Sequence, residues 1–254
     1  MKVLLAGFLL ALGTTCAQSQ PKFEVASIKP SSSADRRLLF NVQPGGRVTI
    51  ANFNLKRLIE EAYNIKDFQI SGGPGWIASD PYDITAKAEG AANYDQLRWM
   101  LQSLLAERFQ LVMHRDTREM PTYALVIDKN GPKFKESSGS GPGMMRIRRG
   151  LLVNQQIPIS ELADQLARFL GRTVLDKTGL AGKYDLKLEW QPDENQIAMF
   201  QAMGVPEGFG APAPDAQGPS LFAALQEQLG LKLESQKGPV EVFSIERVER
   251  PSEN

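Results

Sequence analysis

Four blocks of this sequence recur in the same order, and a repeat changes what every motif inside it means. Val48-Thr49-Ile50-Ala51-Asn52-Phe53-Asn54-Leu55-Lys56-Arg57-Leu58 runs parallel to Leu152-Val153-Asn154-Gln155-Gln156-Ile157-Pro158-Ile159-Ser160-Glu161-Leu162, each an extended stretch that feeds an amphipathic helix. Tyr82–Lys87 is echoed by Tyr184–Glu189, Leu101, Gln102 and Leu105 by Leu225, Gln226 and Leu229, and Pro121–Asp128 by Pro239–Glu246.

Periodicity assigns the elements. In the first copy Phe53, Leu55, Leu58, Ile59, Ala62 and Tyr63 form one apolar helical stripe. Leu97, Met100, Leu101, Leu104 and Leu105 form a second, with Asn93 and Gln96 spaced as a reciprocal cap. In the second copy Leu162, Leu166, Phe169 and Leu170 stop at Gly171, while Leu221, Phe222, Leu225 and Leu229 begin after Ser220 and stop at Gly230. Alternating stretches predict strands at Phe109–His114, Tyr123–Ile127, Leu231–Glu234 and Val240–Ile245, with Phe23–Ile28 and Leu38–Val42 in front. The expected fold is α+β: two tandem pseudo-repeats, each with two helices packed on small mixed β-sheets in βαβ-βαββ order. The expected divisions are a signal peptide over 1–17, a first repeat over 18–135, a linker over 136–143 and a second repeat over 144–254, with a Pro-rich mobile insertion at 191–219.

Met1-Lys2 followed by the apolar run Val3–Leu12 and the small residues Thr15-Cys16-Ala17 has the form of a cleavable export signal, cut after Ala17. The run is too short to cross a bilayer, and no later segment approaches the roughly 20 residues required. Cys16 opens an alternative, a lipid anchor, but Gly13 stands where a lipoprotein signal carries Leu. Cleavage after Ala17 removes the only cysteine, so the mature chain has neither disulfides nor thiolate chemistry and must hold together by core burial. The 29 basic and 29 acidic residues balance, which leaves no net field to recruit nucleic acid. The basic spot Arg146-Ile147-Arg148-Arg149 reads as a solvated face.

Little catalytic chemistry stands out. His114 is the sole histidine, and it ends a strand beside Arg115 and Asp116 in what reads as an exposed position. Asp185 and Glu189 share a strand face with Lys187 between them, the pattern of a paired-carboxylate site and equally of a solvated sheet face. Ser71–Trp76 and Thr178–Gly182 are glycine-rich but lack the Lys-Ser/Thr ending of a phosphate-cradling loop, and read as turns. No metal-ligand spacing and no cofactor motif is present.

Phe23–Pro30, Leu104–Phe109, Thr178–Asp185 and the terminal Arg250-Pro251-Ser252-Glu253-Asn254 together resemble a soil-associated, acidobacterial-type family of exported proteins of unknown function. Similar domains occur attached to membrane-bound metallopeptidases of the antibiotic-sensor type. The resemblance spans the mature chain, implies export and carries no catalytic residues; the metallopeptidase zinc motif is absent. Each half also resembles, in order of elements, the short N-terminal domain of secretins and TonB-dependent receptors, which implies protein contact in the envelope. The sequence therefore favours a non-enzymatic binding module, secreted or periplasmic, without cofactor, that takes an envelope protein or peptide through a sheet edge or the groove between copies. The alternative is a secreted hydrolase using His114, with Asp116 nearby, or the Asp185/Glu189 pair.

Overall fold

The computed structural model describes residues 20–32, 37–139, 141–202 and 218–251. The expected signal, Cys16 and Ala17 lie outside the described residues. In chain order the elements are β1 (Val25–Pro30), β2 (Leu39–Gln43), β3 (Arg47–Asn54), α1 (Leu55–Tyr63), β4 (Ile70–Gly72), α2 (Trp76–Ser79), β5 (Pro81–Lys87), α3 (Tyr94–Arg108) and β6 (Val112–Ile127). There follow β7 (Lys135–Glu136), β8 (Met144–Arg148), β9 (Leu151–Pro158), α4 (Ile159–Leu170), β10 (Val174–Asp176), β11 (Lys183–Glu189), α5 (Glu194–Ala202), α6 (Leu221–Ala224) and β12 (Leu231–Arg247).

The helices begin and end where the caps dictate. Asn93 Oδ1 accepts from the Gln96 N–H and Gln96 Oε1 from the Asn93 N–H, both at 2.9 Å, so two donors at the start of α3 are satisfied reciprocally. α4 ends at Gly171 in the left-handed region, φ 58°. α6 starts on the Ser220 hydroxyl and widens into a π turn over Leu225–Leu229 that stops at Gly230, φ 63°. A Cβ at Gly230 would stand 2.0 Å from the Gly131 carbonyl oxygen, so that residue meets both a conformational and a spatial demand.

Among the described residues the chain is α+β, with six α-helices and three four-stranded sheets. Two sheets are wholly antiparallel, in the orders β1-β5-β3-β2 and β7-β11-β9-β8. The third, β10-β6-β12-β4, is mixed: β6 and β12 pair antiparallel, and each has a short parallel strand on its outer side. β4, from the first half, lies on β12, from the second, and β10 lies on β6.

Here the fold departs from expectation. Alternation predicts Phe109–His114 and Tyr123–Ile127 as separate strands, and likewise Leu231–Glu234 and Val240–Ile245; instead β6 and β12 each run unbroken through the gap and pair from Leu231↔Ile127 to Arg247↔Val112. The reason is local. The stretch Arg115–Thr122 contains no glycine, and Gly238 keeps φ outside the left-handed region, so neither chain makes the tight turn a hairpin needs. Pro121 and Pro239 are accommodated because β10 pairs only with Tyr123–Leu125 and β4 only with Phe243–Ile245, leaving both prolines where the ribbon is two strands wide.

The ribbon spans two hydrophobic cores. One gathers α1, α3 and the β1-β5-β3-β2 sheet, and Phe243, Ile245 and Val248 from the end of the chain pack against it. The other gathers α4, α6 and the β7-β11-β9-β8 sheet, with Leu125 inside it and Phe68 packed on it. Part of the Pro-rich stretch expected to be mobile is built into this second core: Phe200 of α5 is fully buried, with ring centroids 5.5 Å from Phe169 and 6.3 Å from Trp190. Residues 203–217 of that stretch lie outside the described residues. No helix among the described residues is long and apolar enough to cross a membrane.

Asn154 stands out in the second core. It is 1% exposed, between Met145 and Leu186 across the sheet, and neither amide atom has a hydrogen-bond partner. The aligned residue of the first half, Ile50, is apolar and 1% exposed. Burying an unpaired amide costs about 1–3 kcal/mol, so Asn154→Ile is expected to stabilise the chain by about 2 kcal/mol in urea unfolding; a loss of stability would show the amide to be satisfied.

Candidate ligand-binding cleft

α1 begins on Asn54, whose Oδ1 accepts from the Arg57 N–H at 2.8 Å while its Nδ2 donates to the Ala78 carbonyl at 2.8 Å. The helix buries Leu55, Leu58, Ile59 and Ala62, which turns Lys56, Arg57 and Glu60 to the flank of the apolar stripe. That flank meets the second half. The C-terminal turn of α4 brings Arg168, Phe169, Leu170 and Gly171 opposite, and α5 closes the side with Asn195, Ala198 and Met199. Together with Lys66, Asp67 and Phe68 these groups enclose a cleft of about 820 Å³, within the range of small-molecule sites.

Each wall is held in place. Asp193 Oδ1 accepts from the Gln196 N–H at 2.8 Å at the start of α5, and the buried Gln196 side chain accepts from Trp190 Nε1 at 2.9 Å. Lys66 forms an ion pair with Asp164 of α4, and Lys56 with Asp67. The Lys66 pair joins the two halves beside the cleft.

The charged groups of the lining are Lys56, Arg57, Lys66 and Arg168 against Glu60, Asp67 and Asp193. Arg57 divides its guanidinium between Glu60, at 3.2 Å, and Glu61, at 3.4 Å, and its Nε is buried without an acceptor. Arg168 reaches its Asp164 partner only at 3.9 Å. Burial pushes the Glu60 carboxyl from its ordinary 4.5 up to about 7. Arg57 opposes that rise most, Asp67 adds to it, Arg168 opposes and Glu61 adds. One guanidinium contact does not replace the hydration the carboxylate loses, so Glu60 changes charge near neutrality. A titrating group in a cleft is a functional-site signature.

The sequence-derived candidates lie elsewhere and do not converge. His114 is exposed on β6 opposite Ser244, and its neighbour Asp116 is held below the usual carboxylate range by hydrogen bonds from Arg118 and the Thr117 N–H. Glu189 is exposed and pairs with Lys187 at 2.9 Å. Asp185 serves the backbone, since its Oδ1 accepts from the Gln156 N–H at 2.8 Å, at a β-bulge where Gln156 adopts φ 55°. Asp83 does the same for Asn52, at 2.9 Å and φ 61°. The echo of Tyr82-Asp83 in Tyr184-Asp185 is thus a bulge clamp, which holds a non-glycine residue in a strained conformation. Asp185→Ala is expected to cost about 1–2 kcal/mol in thermal unfolding, the loss of one charge-assisted hydrogen bond; an unchanged melting temperature would reopen a chemical role for Asp185. Among the described residues no cluster of three or more His, Cys, Asp or Glu forms a metal site.

A family model described as a protein of unknown function (DUF3738) matches residues 56–248, from the first turn of α1 past the end of β12. The chain belongs to this family. No curated protein and no solved structure matches it. The DUF3738 match contains Arg57, Glu60, Lys66 and Arg168, so both faces of the cleft fall within the family's span. Sequence reasoning missed these residues because each, taken alone, is an ordinary charged flank of an amphipathic helix. The available signal was Arg57, Glu60 and Glu61 spaced three and four apart along one edge of the α1 stripe.

Proposed function

We propose that this DUF3738 chain is an exported, non-enzymatic binding module of the cell envelope, and that the cleft between its halves is the ligand seat. The observation that carries this reading is the cleft itself: about 820 Å³ walled by α1 from one half and by α4 and α5 from the other. Phe68, Phe169, Leu170 and Met199 supply apolar surface, and Arg57 and Arg168 supply charge, the mixed lining a bound ligand needs. No histidine, serine or cysteine is among its lining residues, so a Ser–His or Cys–His nucleophile pair is not assembled there.

The two halves are read as copies of one βαβ-βαββ unit of the kind found at the N-termini of secretins and TonB-dependent receptors. The matching strand orders of the two outer sheets, and the matching Asp-clamped bulges at Asn52 and Gln156, support this reading. In such a duplication the groove between copies is a concave feature that a single copy cannot form, which is why function is placed there rather than at a sheet edge.

Ala198 is exposed on the cleft wall and belongs to neither core, so Ala198→Trp fills the space without removing a core side chain. The purified chain is expected to retain a stoichiometric envelope ligand from extract, and Ala198→Trp to lose it while melting normally. Retention at the wild-type level by Ala198→Trp, or substrate turnover abolished by His114→Ala, would contradict the reading.

A further inference from the structure

The lining of the cleft specifies what kind of molecule it suits. Its lining combines the apolar side chains Phe68, Phe169 and Met199 with Arg57 and Arg168 from opposite halves. Neither guanidinium is saturated: Arg57 has a buried Nε without an acceptor, and Arg168 lies 3.9 Å from its carboxylate. Four cationic side chains and three carboxylates line the cleft, while Glu61 and Asp164 pair with Arg57, Lys66 and Arg168 from just outside the lining. Guanidinium groups short of acceptors, on opposite sides of one cleft, complement an anion.

We propose that the cleft binds a small amphipathic anion, an acidic headgroup on a short apolar body, with the headgroup seated between Arg57 and Arg168. The inference rests on the cleft being the ligand seat. The groups that face Glu60 are Arg57 and Glu61 on its own helix, Asp67 on the following turn and Arg168 on α4; Lys56, Lys66 and Asp193 complete the charged lining. When Glu60 holds a proton the lining carries four cations against two carboxylates, and Arg57 loses a competitor for its Nη1. An incoming anion and the Glu60 charge therefore oppose each other, and linkage makes the effect reciprocal: each bound anion favours uptake of a proton.

Hexanesulfonate tests this, because its headgroup stays ionised between pH 6 and 8 and any pH dependence belongs to the protein. Calorimetric titration of the intact chain is expected to show hexanesulfonate binding at least about tenfold more tightly than hexylammonium or hexanol, and about tenfold more tightly at pH 6 than at pH 8. Arg168→Ala is expected to weaken it about tenfold, and Glu60→Gln to flatten the pH dependence to within about twofold. Hexanoate and hexyl phosphate, compared at pH 7, separate a carboxylate from a phosphate headgroup as the natural source. Equal or tighter binding of hexylammonium, no binding of hexanesulfonate, or an unchanged pH dependence in Glu60→Gln would overturn the proposal. If Ala198→Trp still releases the ligand retained from extract under any of those outcomes, the cleft remains the seat and only its anionic character falls.

Discussion

Phe200→Ala is expected to lower the stability of the chain by about 3–4 kcal/mol, the cost of removing a fully buried phenyl ring from a packed aromatic cluster. The ring sits against Phe169 and Trp190, and Trp190 is in turn hydrogen-bonded to Gln196 at the start of the same helix. Loss of the ring therefore leaves α5 with the Gln196–Trp190 contact as its main buried attachment. Because α5 supplies Asn195, Ala198 and Met199 to the cleft, the same substitution should remove ligand binding together with stability. Urea unfolding checks it: the midpoint should fall with little change in slope, and hydrogen exchange across Glu194–Ala202 should accelerate. A stability change below about 1 kcal/mol would mean that α5 does not dock as described, and the cleft would lose a wall.

Glu60→Gln should have an effect of similar size and opposite sign, one that grows as the pH rises above the ordinary carboxylate range. In the unfolded chain Glu60 ionises near 4.5, in the folded chain near 7. Below pH 4.5 both states hold the proton and the residue contributes no difference. As pH rises toward 7 the unfolded chain releases its proton while the folded chain keeps it, so stability is lost progressively, and the loss is complete once the folded group also ionises. The separation between 4.5 and about 7 corresponds to at most about 3 kcal/mol. Glutamine keeps the shape and does not titrate, and Arg57 keeps Glu61 as a partner. The variant should match the wild type at about pH 4 and exceed it by up to about 3 kcal/mol at about pH 8, as read from denaturant unfolding across that range. Parallel pH profiles for the two proteins would show that Glu60 is ionised and hydrated at neutrality.

Much of the local structure was legible because it depends on neighbours in sequence. The stripe Leu55, Leu58, Ile59 and Ala62 became the buried face of α1, and Asn93 with Gln96 capped α3, since helix periodicity and capping act over three or four residues. The long ribbon was not legible. Phe109–Ile127 carries two alternating stretches with a charged middle, and whether such a sequence turns back or continues depends on a partner more than a hundred residues away; here β12 supplies that partner. The cleft was hidden for the same reason. Arg57 and Arg168 meet only because β4 and β10 lie on the ribbon strand from the opposite half, which brings α1 and the end of α4 together. Asp185 shows the converse: a carboxylate that shares a strand face with Glu189 has the pattern of a paired-carboxylate site, yet a strained bulge uses the same carboxylate.

That the cleft between the halves is the ligand seat is tested most directly by a methyl-resolved NMR titration of the intact chain with hexanesulfonate at about pH 6. The shifted resonances should be those of Leu38, Ala78, Leu170, Ala198 and Met199, which line the cleft, while Val25, Val42 and Met144, exposed at the outer sheets, stay unchanged. Shifts confined to Val25, Val42 or Met144, with the cleft methyls silent, would contradict it.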